Sequence, residues 1–99
     1  MLKLLRDLQK QCGMYIGEKN LDRLTTFVCG YIHGVYIETG ILLQFLNGFQ
    51  EYVEAHYGLA DNENVFQHWS EIISFFNATK EEAFDEFYAL MDAFLAIQA

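Results

Sequence analysis

The chain has 99 residues, 53% hydrophobic and 16% aromatic, with fourteen carboxylates against six Lys and Arg for a net charge of −8. That length makes one domain, residues 1–99, and its apolar content excludes both a disordered chain and a scaffold that depends on disulfides or metal. The sign of the charge excludes direct nucleic-acid binding and an anionic membrane surface, and favours a cationic partner.

The charge is unevenly spread. From Glu38 onward, eleven carboxylates against one base, Lys80, leave −10; in residues 1–37, five bases against three acids leave +2. The N-terminal MLKLLRDLQKQ alternates charge with leucine and is not a secretory signal. The most apolar stretch, Phe27 to Phe49, contains His33, Glu38, Gln44, Asn47 and four glycines, which makes it a poor membrane span. A cytoplasmic protein is expected. Its two cysteines, Cys12 and Cys29, fall beside apolar helix positions and read as reduced thiols, with Cys29, next to the packing stripe, expected to be buried.

Apolar residues recur at helical spacing nearly throughout. Leu4, Leu5, Leu8 and Cys12 make one face of a first helix, which Gly13 is expected to stop. A connector centred on Gly17 leads to Asn20, which opens a second helix with Leu21, Leu24, Phe27, Val28, Tyr31, Ile32 and Val35 on its buried side. Gly30 and Gly34 lie four apart. Either another helix crosses closely there, or the helix ends near Gly34. Glu38-Thr39-Gly40 reads as a break.

A third helix is expected to place Leu42, Phe45, Leu46, Phe49, Tyr52, Val53 and His56 on one side and to stop at Gly58. Residues Gly58 to Asn64 form a loop. A fourth helix carries Val65, Phe66, Trp69, Ile72, Ile73 and Phe76, and Asn77-Ala78 ends it. The last helix opens on a capping box: Thr79 caps the backbone three residues on, and Glu82 reaches back. Its apolar stripe is Ala83, Phe84, Phe87, Leu90, Met91, Phe94 and Leu95. The fold expected is all-α, a single compact bundle of about five helices.

Neither a catalytic motif nor a cofactor site is evident. His33, His56 and His68 lack the spacing that places two imidazoles on one helix face, so no metal site is expected. Cys29 and His33 are one helical turn apart, but a thiolate nucleophile also needs an orienting group. Asp61-Asn62-Glu63-Asn64 is oxygen-rich yet too short for a calcium loop. The carboxylates read as solvated helix faces. Tyr36, Tyr52, Tyr57 and Tyr88 lie near stripe edges, where tyrosine serves interfaces.

One longer pattern stands out. Gly13-Met14-Tyr15-Ile16-Gly17, then Leu21, Leu24, Phe27 and Gly30-Tyr31, then Phe49, Tyr57 and Trp69, and finally Glu82-Ala83-Phe84 with Phe87, resembles a family of small bacterial immunity proteins of polymorphic toxin systems, including contact-dependent growth inhibition. The family pattern has Arg-Pro ahead of Gly-Met-Tyr, where this chain has Gln11-Cys12. The resemblance implies a non-enzymatic protein that binds and neutralises one cognate toxin, often a nuclease. Such a toxin has a basic cleft, and an acidic partner would be steered into it.

The residues expected to meet the toxin are the carboxylates Glu51, Glu54, Asp61, Glu63, Glu81, Asp85 and Asp92. The alternative is a homo-oligomeric structural or adaptor domain that self-associates through the Gly30/Gly34 face or exposed aromatics, with no toxin partner.

Overall fold

The computed structural model describes residues 1–59 and 68–98. In these the chain forms six helices and no strand: α1 (Leu2–Lys10), α2 (Cys12–Tyr15), α3 (Leu21–Thr39), α4 (Phe49–His56), α5 (Trp69–Phe75) and α6 (Lys80–Gln98). The all-α bundle expected from the apolar spacing is what forms. α6 is its centre and packs against α3, α4 and α5. Ala83, Phe84, Phe87, Leu90, Met91 and Phe94 are buried on it, as the stripe required, and Leu95 packs at the edge.

Local chemistry sets the best-defined helix ends. The Asn20 side chain accepts from the Arg23 N–H at 3.1 Å and starts α3. At α6, Thr79 Oγ1 accepts from the Glu82 N–H at 3.0 Å, and Glu82 Oε2 accepts from the Ala78 N–H at 3.2 Å. The reciprocal cap therefore forms, with its return bond one residue earlier than a standard capping box. α5 is started by two side chains: Gln50 Oε1 accepts from the Trp69 N–H at 2.7 Å, and His68 Nδ1 accepts from the Ser70 N–H at 3.3 Å. Both satisfy amide groups that a helix N-terminus leaves open.

Three helix expectations are corrected. Gly13 does not stop α1. That helix ends at Lys10, and Gly13 lies inside the single turn of α2. Next, α3 does not end near Gly34, and among the described residues nothing lies within 4 Å of a methyl group added at Gly30 or Gly34, so no described helix crosses closely there. α3 runs on to Thr39 and is closed by Gly40 at φ +75°, the left-handed conformation that glycine adopts without strain.

The third correction concerns residues 40–48, which are not helical. Gly48, at φ +90°, turns the chain into α4, which begins only at Phe49. The 3–4 spacing of Leu42, Phe45, Leu46 and Phe49 is met by another geometry. Phe45 leaves the helix register and stacks on Trp69, with ring centroids 5.2 Å apart and planes 4° apart. Phe49, Trp69 and Phe87 complete this aromatic centre, with Phe49 edge-on to both of the other rings. Such pairs add about 0.5–1.5 kcal/mol each beyond area burial. In the fourth helix, Val65 and Phe66 lie outside the described residues, and Phe76 is exposed rather than core.

α1 is fastened to the centre by a buried polar bond. The Tyr88 hydroxyl donates to the Leu5 carbonyl at 2.6 Å, and Tyr88 is 2% exposed. Tyr88 is thus a core residue and not the wet stripe-edge tyrosine its position suggested. Burial raises its pKa far above the phenol value, against the opposing pull of the Arg6 charge. The edge of α6 that looked available for a partner is here the seat of α1.

Candidate functional site

Side chains advance by about 100° per residue along α6, so Glu81, Asp85 and Asp92 share one flank while Glu82 and Glu86 share the other. The first flank faces the N-terminal part of the chain. Lys19 Nζ approaches Asp85 Oδ1 at 3.2 Å, and the Arg6 guanidinium pairs with Asp92. The hydrogen bond to Asp85, and then its charge, raise the Lys19 pKa. Lys80 Nζ reaches back to Asp22 Oδ2 at 2.7 Å, and Arg23 meets Glu18 at 3.7 Å. All four pairs are exposed, where such contacts contribute little to stability. Their effect is on the field. The basic N-terminal segment lies over the acidic flank of α6, so the charge split in sequence partly cancels in space.

Among the described residues no Lys or Arg pairs with an acid of α4 or α5. There is no Lys or Arg between Arg23 and Lys80. Glu51 and Glu54 point away from the core of α4, whose inward face is Phe49 and Val53. Glu51 is exposed, and Glu54 accepts a hydrogen bond from Gln50 Nε2 at 3.0 Å. Glu71 is exposed in the first turn of α5. Glu86 is the acid of α6 that faces this side, 3.8 Å from His56 Nε2 and 3.5 Å from the Tyr57 hydroxyl. Burial, and then the Glu86 charge, raise the Tyr57 pKa, so the phenol remains a neutral donor. Its ring stacks on Phe76 at 4.4 Å.

The carboxylates expected at a partner surface therefore divide. Asp85 and Asp92 are already engaged by bases of the same chain. Glu81 shares their flank and is exposed. Among the described residues Glu51 and Glu54 form no ion pair with a Lys or Arg. Asp61 and Glu63 lie outside the described residues. Glu71 was absent from the expected set, although one signal pointed to it: the long run without Lys or Arg that contains it. Beside Glu51, an open hollow of about 380 Å³ lies between the turn at residues 45–50 and His68-Trp69.

The residues that could carry chemistry are not assembled. Cys29 is exposed, contrary to the buried thiol expected, because it falls off the Leu24/Val28 stripe of α3. His33 is exposed one turn away, and no hydrogen bond joins the two among the described residues. His68 is engaged with Ser70 at the start of α5, and desolvation lowers its pKa against the opposing pull of Glu71. Among the described residues no group of three or more His, Cys, Asp or Glu could hold a metal ion. The small cavity between α3, Phe45 and Trp69 measures about 80 Å³, well below the ~300 Å³ at which small-ligand sites begin. No described helix is long and apolar enough to cross a membrane.

Comparison with protein-family models, with curated proteins and with solved structures found no match.

Proposed function

We propose that this chain is an immunity protein that binds a cognate, basic toxin domain and neutralises it by covering its cationic active-site cleft. The observation that carries the reading is the uncompensated acid of the α4–α5 side. Glu51, Glu54 and Glu71 stand there with no Lys or Arg within the surrounding run of sequence, while Asp85 and Asp92 of α6 are already paired with Lys19 and Arg6. A nuclease cleft built to hold phosphates presents Arg and Lys, which form charge-assisted bonds with carboxylates. The hollow beside Glu51, with Trp69 in its wall, suits the entry of one long basic side chain. The partner is a protein and not a nucleic acid, since this field repels phosphate. Neutralisation of this kind needs neither a catalytic residue nor a cofactor.

The experiment is co-expression. A basic C-terminal domain of a large secreted protein encoded beside this chain is the partner to test. Growth arrest by that domain, relieved by this chain and accompanied by a stable complex on purification, is the expected result. Continued arrest with no complex would defeat the proposal.

A further inference from the structure

Single exposed hydrophobes are ordinary on a protein surface, but joined ones mark a contact. At the C-terminal end of α5, Phe75 is 76% exposed and Phe76 48%. Phe76 lies flat on Tyr57, the residue that ends α4, with centroids 4.4 Å apart and planes 4° apart. Phe75 stands edge-on to Phe76 at 5.1 Å. The two phenylalanines alone leave roughly 250 Å² of side chain in water. The strip is held in place. Asn77 Nδ2 donates to the Ile73 carbonyl at 2.8 Å and closes α5, and the Tyr57 hydroxyl donates to Glu86 at 3.5 Å. A preformed surface loses little entropy on binding.

Carboxylates border the strip at both ends. Glu71 precedes Phe75 by one turn on the outer face of α5, and both are exposed. At the other end Glu86 meets the Tyr57 hydroxyl, and Glu82 lies one turn before it on α6. Among the described residues no Lys or Arg pairs with any of these three acids. His56 approaches Glu86 at 3.8 Å, and Lys80, the closest Lys in sequence to Phe76, is turned to Asp22.

We propose that Phe75, Phe76 and Tyr57, with Glu71 and Glu86 at their edges, form an arginine-binding anchor at which the basic partner docks; that the partner is a basic protein rests on the function proposed above. The chemistry selects arginine. Its guanidinium is flat enough to stack on an aromatic face and forked to meet a carboxylate, whereas the lysine ammonium is compact and strongly hydrated. A wholly apolar partner would bury these carboxylates unpaired. A nucleobase would stack, but its phosphate is repelled. A second copy of the chain would bring the same acids face to face.

Hexa-arginine and hexa-lysine peptides carry the same charge, so titrating each into the whole chain by calorimetry isolates the stacking. Hexa-arginine should bind about two- to fivefold more tightly. Phe75→Leu keeps an apolar side chain without the ring and should remove that preference with helicity unchanged. Tyr36→Leu, at a tyrosine 51% exposed and away from these acids, should retain it. Equal binding of the two peptides, or a preference that survives Phe75→Leu, would overturn the proposal. The co-expression assay separates this inference from the reading it rests on. Phe75→Leu should protect cells less well than the wild type, and equal protection by both overturns the anchor while leaving the immunity reading standing. Absence of protection by the wild type defeats the immunity reading alone, because the peptides still decide the arginine preference.

Discussion

The Tyr88 hydroxyl donates to the Leu5 carbonyl at 2.6 Å, and this bond spans 83 positions in sequence to hold α1 against α6. It joins a buried donor to a helix carbonyl, so both groups depend on it. Tyr88→Phe keeps the ring and removes the bond. The expected cost is about 1 kcal/mol, or a fall in Tm of about 4–8 °C for a domain of this size. Thermal unfolding followed by circular dichroism measures it. An unchanged Tm would mean that this bond adds nothing to the packing of Leu5 and Leu8.

Ser74 presents the opposite case. Its hydroxyl oxygen is buried and has no hydrogen-bond partner among the described residues. A buried unsatisfied polar group costs about 1–3 kcal/mol, so Ser74→Ala should leave the protein as stable or more stable. Urea unfolding gives the comparison, and a clear loss of stability in the alanine variant would show that the hydroxyl is bonded in solution.

His68 makes the stability of α5 depend on pH. The neutral ring accepts the Ser70 N–H, and burial lowers the pKa in the folded chain below the usual 6.5. The unfolded chain therefore takes up the proton first as the pH falls. The contribution is full above about pH 6.5 and is lost as pH drops through the lower folded-state value. His68→Asn keeps an N-cap acceptor that does not titrate. Between pH 7 and pH 5 the Tm of the wild type should fall more than that of the variant, and parallel curves would remove His68 from this role.

Much of the fold was legible because it rests on local chemistry. Asn20, Gly40 and the Thr79/Glu82 pair each act within a few residues, and each terminus falls where those residues place it. The segment at 40–48 was not legible. Its shape depends on Phe45 reaching Trp69, twenty-four positions later, and a periodic apolar pattern does not distinguish that contact from a helix stripe. The same limit applies to the candidate site. The sign of the charge was plain, but which acids stay free was not. Lys19 finds Asp85 and Arg6 finds Asp92 across separations of 66 and 86 residues. Only folding could show that Asp85 and Asp92 are paired and that Glu51, Glu54 and Glu71 meet no Lys or Arg among the described residues. The reverse held for Gly30 and Gly34, whose spacing suggested a close helix: among the described residues nothing lies within 4 Å of a methyl group added at either.

That division of the acids is the centre of the functional account, and association kinetics test it most directly. The measurement is the rate of binding to a toxin domain of the basic kind proposed as partner, across a range of ionic strength, for the wild type and for two sets of variants. The wild-type rate should fall steeply with salt. Glu51→Gln/Glu54→Gln/Glu71→Gln should slow association at low salt by about tenfold or more and flatten the dependence, whereas Asp85→Asn/Asp92→Asn should change it far less. A rate indifferent to salt, or one that the α6 pair governs and the α4–α5 set does not, would contradict the account.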